Sequence, residues 1–272
     1  RGVVQEAMVS HKESMTACAE SIERIGTVNN YSLHHGDCIE WLASLAAESV
    51  DLVVTDPAYE SLEKHRAKGT TTRLKVSDAS SNQWFPIFGN ARFPDLFAQL
   101  YRVLKKGTHC YVLCDQETMF VVKDVAPTAG FEWKKFLVWD KVKPGMGYNY
   151  RACHEVICFL AKGKRNGDGY GCLNDNKTAD VLRCEEIEER GAILSHERVT
   201  GYPTEKPVGL LQDLIRMSSR PGELVLDPFA GSGSTGQAAL LQGRRFAGCD
   251  VSKTAIDIAS RKLQETPFMA RV

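Results

Sequence analysis

The chain has 272 residues, 43% of them hydrophobic, and its 34 Lys plus Arg are matched by 34 Asp plus Glu. That length suits one α/β domain with a small insertion, and the balanced charge supplies no whole-molecule field for a polyanion, so any nucleic-acid surface has to come from local clustering. No apolar run approaches the roughly 20 residues that span a bilayer. There is also no signal-peptide h-region, and nine scattered cysteines without a Cys-x-x-Cys pair argue against structural zinc and for reduced thiols in a cytoplasmic protein.

Residues 1–30 read as a tail with a short helix, Ser10 and Glu13 forming a capping-box pair. From Tyr31 onward short apolar runs alternate with amphipathic stretches, the pattern of a mostly parallel sheet covered by helices on both faces. Seven strands are expected, at Ser32–His35, Val50–Thr55, Thr108–Cys114, Phe136–Trp139, Glu155–Leu160, Leu224–Leu226 and Arg245–Gly248. Helices fit between them at Cys38–Ala47, Pro94–Leu104, Gln116–Ala126, Lys206–Ser218, Ser234–Gln242 and Lys253–Glu265, the first capped by Asp37 with Glu40 three residues on. Glu60–Asn90, polar and basic, and Gly163–Tyr202, rich in Gly, Asn and charge, stand outside the alternation. The expected organisation is a tail over 1–30, one α/β domain built from 31–162 and 204–272, and an insertion over 163–203.

Leu224-Val-Leu-Asp-Pro-Phe-Ala-Gly-Ser-Gly-Ser-Thr-Gly236 reads as a buried strand, a tight glycine turn and a helix start, followed by a strand that ends in Asp250. This is the grammar of a nucleotide-cofactor site. Gly231 and Gly233 let backbone approach a ligand without a Cβ clash, and an acid ending the next strand accepts hydrogen bonds from ribose hydroxyls. Gly231, Gly233 and Gly236 also fit the dinucleotide fingerprint G-x-G-x-x-G, so nicotinamide binding is an alternative. It is disfavoured because a dinucleotide fold continues with several strands after this unit, whereas only one helix is expected after Asp250.

Asp51-Leu-Val-Val-Thr-Asp-Pro-Ala-Tyr59 is a buried strand entering a polar, aromatic turn at its carboxyl end, where open α/β sheets place their sites. An exocyclic amino group has its lone pair delocalised into the ring and becomes a nucleophile only when acceptors hold its hydrogens. The Asp56 carboxylate and the Pro57 carbonyl offer two acceptors, and Tyr59 offers a face for a base flipped out of the stack. Neither a metal nor a cysteine nucleophile is needed. The bland reading is that Asp-Pro ends a strand and Tyr59 packs at the surface; the glycine turn in the same chain argues against it.

Together these motifs resemble the β group of S-adenosylmethionine-dependent DNA amino-methyltransferases, in which a target-base motif, usually Asp-Pro-Pro-Tyr, precedes the cofactor motif Phe-x-Gly-x-Gly. Here they are Asp56–Tyr59 and Phe229–Gly233, with Ala58 in place of the usual second proline. The resemblance implies a Rossmann-like methyltransferase sheet with permuted motif order, 31–162 being the catalytic half and 204–272 the cofactor-binding half. It also covers Thr204-Glu-Lys-Pro207, which in the family holds the methionine end of the cofactor, so that Lys206 pairs with its carboxylate beside Thr204 and Pro207. Gly36-Asp-Cys38 is similar to the segment that contacts the cofactor adenine. By the same carry-over Asp37 accepts from the adenine amino group, Cys38 lies beside it, Asp227 faces the methionine amine, Phe229, Gly231, Ser232 and Gly233 form the turn, and Asp250 meets the ribose. An aspartate opening the target-base motif favours N6 of adenine over N4 of cytosine, which stays an alternative. A cofactor-binding DNA regulator without turnover is another.

The resemblance further implies double-stranded DNA as substrate, restriction–modification as context, a homodimer, and target recognition by 163–203. Lys64, Arg66, Lys68 and Arg73 in the loop after the target-base motif, and Lys141 and Arg151 further on, are candidates for phosphate contact. His154 and Glu155, ahead of an apolar strand, read as a polar strand-edge pair, because no third ligand or nucleophile sits at usable spacing.

Overall fold

The computed structural model describes residues 30–61, 86–142, 144, 150–163, 173–175, 177–183 and 205–269. Ser10 and Glu13, the loop cations Lys64, Arg66, Lys68 and Arg73, and Thr204 lie outside the described residues. In chain order the elements are β1 Tyr31–His35, α1 Cys38–Ser44, β2 Val50–Thr55, α2 Phe93–Val103, β3 Leu104–Cys114, α3 Gln116–Val125, β4 Glu132–Asp140, β5 His154–Ala161, β6 Val181–Arg183, α4 Val208–Ser218, β7 Leu224–Asp227, α5 Ser234–Leu241, β8 Arg245–Asp250 and α6 Lys253–Glu265.

The strands form one eight-stranded sheet in the order β1-β8-β7-β2-β3-β5-β4-β6, one strand more than the sequence predicts. The extra strand, β6, lies within the stretch 163–203 and pairs in parallel with β4 from Val138↔Val181 to Asp140↔Arg183. Three residues with only Leu182 buried carry too little periodicity to be read as a strand in advance. β4 is longer than expected because polar residues such as Glu132, Lys134 and Lys135 occupy a sheet margin, where exposed positions cost little. All pairings are parallel except those of β5, which runs antiparallel to both β3 and β4.

β2 is buried at every position, and its alternation divides the core. Val53 faces a cluster with α1, α2 and α3 that includes Trp41, Leu96, Phe97, Leu100 and Val122. Leu52 and Val54 face the other layer, built on Leu210, Leu214 and Ile215 of α4 and Ala238 and Leu240 of α5. α2 shows why these helices form. Pro94 occupies its first turn, and Phe93, Leu96, Phe97, Leu100 and Val103, all buried, recur at the helical period. Burying each such side chain contributes about 1.5–3 kcal/mol. Among the described residues no helix is long and apolar enough to cross a membrane, and all six cysteines are free thiols.

Candidate active site

β2 and β7 lie side by side, and from them the chain departs in opposite directions, β7 toward β8 and β2 toward β3. A crevice therefore opens at their carboxyl ends, the position where α/β sheets hold ligands. The two strands are stitched together there, since the Thr55 hydroxyl donates to Asp227 Oδ1 at 2.8 Å across 172 residues of sequence. A cavity of about 370 Å³ fills the crevice and is lined, among others, by Asp56, Tyr59, Lys206, Asp227, Phe229 and Asp250.

The side of the cavity after β7 is shaped by backbone. Gly231 and Gly233 adopt φ of 50° and 82°, left-handed values that glycine takes without strain, and a Cβ on Gly233 would meet the Ala259 Cβ at 3.0 Å. Gly236 is needed for packing, because a Cβ there would lie 2.7 Å from the Phe246 ring of β8. Asp227 is 2% exposed and also accepts from the Phe229 N–H at 3.0 Å. Burial pushes its carboxyl up to about 7 despite these donors. Asp250 accepts from the N–H of Gly231 at 2.9 Å and of Ser252 at 2.8 Å, and burial raises it too. Ser232 is buried in the turn.

Asp37 caps α1 through the Ile39 N–H at 2.9 Å and pairs with the Arg92 guanidinium at 2.5 Å. Burial pushes the Asp37 carboxyl up, but the Arg92 hydrogen bond and the cap donors outweigh it and hold it below the usual range. A carboxylate's four lone-pair sites leave it capacity for one more donor. The Cys38 thiol is buried and pushed up to about 12, so it acts as a small apolar wall.

The side after β2 is held by long-range contacts. The Ala58 carbonyl accepts from the Phe88 N–H at 2.7 Å, and Tyr59 bridges to Phe88. The Phe88 ring meets Phe229 edge to face at 5.0 Å and carries the Arg92 guanidinium 4.7 Å from its centroid. Phe88 thus ties the Asp56–Tyr59 turn to the Phe229 turn, and its hydrogen bond braces the backbone at Ala58. Ser61 completes the bracing by donating to Asp115 at 2.6 Å.

Behind the turn sits a cluster of charges. Lys206 Nζ lies 2.5 Å from Asp56 Oδ2 and 3.5 Å from Glu155 Oε2, and Lys141 pairs with Glu155 Oε1. Burial lowers the Lys206 ammonium, but the two carboxylates more than reverse this and raise it. Burial also raises Asp56, with Lys206 pulling the other way and Glu155 adding to the rise. Burial pushes Glu155 up, yet Lys206 and Lys141 together bring it below its usual value.

Of the residues expected from sequence, Asp37, Cys38, Asp56, Pro57, Tyr59, Lys206, Asp227, Phe229, Gly231, Ser232 and Asp250 line the one cavity. Gly233 and Pro207 stand behind it as the residues that start α5 and α4. Lys141 turns to Glu155 rather than outward, while Arg151 is exposed and donates to the Pro144 carbonyl at 3.1 Å. Sequence reasoning missed Phe88, Arg92 and Glu155. The strand-edge reading of Glu155 is corrected by strand direction: β5 runs against its neighbours, with Val156 opposite Cys114, which brings its first residues to the carboxyl ends of the others. A charged residue beginning an apolar strand was the available signal, but it points to the site only once the reversal is known.

A family model described as DNA methylase, N6_N4_Mtase, matches residues 50–261. The chain is 29% identical over 252 residues to DNA adenine methyltransferase YhdJ of Escherichia coli (strain K12), covering 84% of this chain and 81% of that one. It is 28% identical to Type II methyltransferase M.HinfI of Haemophilus influenzae, over 85% of this chain and 67% of that one. Among solved structures M1.HpyAVI aligns with a TM-score of 0.60 at 22% identity, over 86% of this chain and 98% of that one. The cytosine-N4-specific PvuII DNA methyltransferase aligns with a TM-score of 0.59 at 16% identity, over 86% of both chains. These last two are likenesses of fold. The family match runs from β2, ahead of the Asp56 turn, through the Gly231 turn and into α6, and so encloses both sides of the crevice; the chain belongs to the N6_N4_Mtase family of DNA methylases.

Proposed function

We propose that the protein transfers the methyl group of S-adenosylmethionine to N6 of an adenine flipped out of double-stranded DNA. The observation that carries this reading is the union, in one cavity, of the buried Asp227–Gly231–Asp250 turn with the Asp56–Tyr59 turn. Its named relatives include a DNA adenine methyltransferase, and neighbours of the same fold include complexes with the cofactor.

The residues present fit the cofactor. Asp227 is a deeply buried carboxylate with no cation at hydrogen-bond distance among its described partners, so a cationic amine suits it. Asp250, oriented by two N–H donors, is set to receive ribose hydroxyls. Lys206, already paired with Asp56 and Glu155, has a third N–H to offer a carboxylate of the cofactor, and Asp37 and Cys38 close the adenine end. When bound, the cofactor supplies an activated methyl group on a sulfonium.

Asp56 and the Pro57 carbonyl accept the two hydrogens of the amino group and favour a tetrahedral nitrogen whose lone pair points at the methyl. Tyr59 carries the ring of the flipped base. Asp56, whose basicity burial raises, is placed to take the proton that the nitrogen loses. Positioning and electrostatics supply the rate, and because the sulfonium sulfur departs as a neutral thioether the transfer needs no metal to stabilise a leaving group. Target recognition falls to 163–203, phosphate contact to the loop after Tyr59 and to Arg151, and the enzyme acts in the cytoplasm as a homodimer, which light scattering at micromolar concentration checks.

The test is transfer of labelled methyl to unmethylated genomic DNA, then digestion and nucleoside identification by mass spectrometry. N6-methyl-2′-deoxyadenosine supports the reading. N4-methyl-2′-deoxycytidine would replace adenine by cytosine on the same scaffold, and unlabelled DNA with cofactor bound would favour a regulator without turnover.

A further inference from the structure

Glu155 has no role in the chemistry derived so far, yet it lines the cavity and both its oxygens are engaged by ammonium groups. Its side chain is 21% exposed, that of Lys206 16% and that of Asp56 26%. Charges so far from water persist only when compensated. Here two carboxylates, Asp56 and Glu155, meet two ammonium groups, Lys206 and Lys141, in the chain Asp56–Lys206–Glu155–Lys141. The cluster is neutral as a unit, and Lys206 at its centre is divided between two acids.

That division matters for transfer. Lys206 already occupies one oxygen of Asp56, and an ammonium that answered to Asp56 alone would lower the basicity of the acceptor that the amino group needs. We propose that Glu155 is a positioning residue for methyl transfer, which shares the Lys206 ammonium bound at Asp56 Oδ2 so that the pairing does not fully neutralise Asp56 as an acceptor, with Lys141 holding Glu155 in place. The inference rests on the methyl-transfer reading above. Other groups facing the cluster are Tyr59 in the same turn, Cys114 at the end of β3, Asp115 at the start of α3 and Asp227 at the end of β7. All of these remain in the variants that test it.

The test is the pH dependence of single-turnover methyl transfer to DNA by the full chain, compared between wild type, Glu155→Gln, Glu155→Asp and Lys141→Met. Glu155→Gln removes a repelling charge and leaves Lys206 to Asp56 alone, so the acidic limb moves down by about one pH unit and the plateau rate falls about 10- to 100-fold, the scale of one lost charged hydrogen bond. Lys141→Met removes a cation and moves the limb the other way. Glu155→Asp keeps the charge and brings the limb back toward wild type. Thermal melting checks that each variant is folded, and Lys141→Met, altering a half-exposed side chain, carries the test if Glu155→Gln does not fold. Opposite displacements establish the role. Lower rates with an unmoved limb, or limbs that move together, overturn it and leave Glu155 as packing. If the wild type labels no DNA, it is the assigned reaction that fails; wild-type transfer with an unchanged profile in Glu155→Gln fails this inference alone.

Discussion

The turn after β7 and the turn after β2 border the same crevice but are built by different means. The first is made by residues within 27 of one another in sequence, from Leu224 to Asp250, and is held by backbone: glycines at positive φ, N–H groups aimed at Asp227 and Asp250, and a helix packed close on β8. The second draws Phe88, Glu155 and Lys206 from three separate parts of the chain and is held, beyond one backbone bridge to Phe88, by side-chain charge and aromatic contact. Backbone geometry tolerates little change and answers to pH only through the two carboxylates it cradles, Asp227 and Asp250. A charge cluster tolerates substitution of shape and responds to every proton.

The difference gives predictions that separate the two sides. Asp56→Ala should cut single-turnover methyl transfer by at least about 10²–10³-fold, the cost of one preorganised transition-state contact, while cofactor affinity by titration calorimetry stays close to wild type. Equal loss in both measurements would mean that the sides are not separable. Asp250→Ala should do the reverse, weakening cofactor affinity about 10- to 100-fold through the loss of charged hydrogen bonds, with the rate at saturating cofactor largely kept.

pH sharpens the contrast further. Asp227, pushed up to about 7, becomes a full anion only as pH rises through that value, so cofactor binding through its amine should tighten about fivefold between pH 6 and 7. Asp227→Asn should flatten that slope. The sign for stability is opposite: a carboxyl whose folded value is raised favours the fold below its ordinary value near 4, and that contribution is lost as pH climbs through about 7. Thermal melts of the free protein should therefore decline over this interval, less so in Asp227→Asn. The smallest effect is expected from Phe88→Leu, which keeps the backbone bond to Ala58 but loses the ring contacts to Phe229 and Arg92, worth about 0.5–1.5 kcal/mol. A melt shifted by a few degrees with a rate changed only severalfold is the expected outcome.

Strands β1, β2, β3, β5, β7 and β8 and the six described helices were legible within a few residues because each packs a face on the core, and burial writes period 2 or 3.6 into the sequence. Both turns were legible because a glycine turn and an Asp-Pro turn are local objects. The bracing of Ala58 was not. Nor was β6, too short for a period, or the inward course of Lys141, which sequence alone makes a surface cation.

By itself the sequence determined the sheet-and-helix alternation, the order of the two motifs and the residues that carry them, since these depend on spacing along the chain. Only the tertiary structure decided which charges meet. Reversing β5 moves Glu155 from one end of the sheet to the other without changing a single residue of its apolar pattern, and that reversal is what places Lys206 between two acids. Periodicity records which side of a strand is buried; it does not record which way the strand runs.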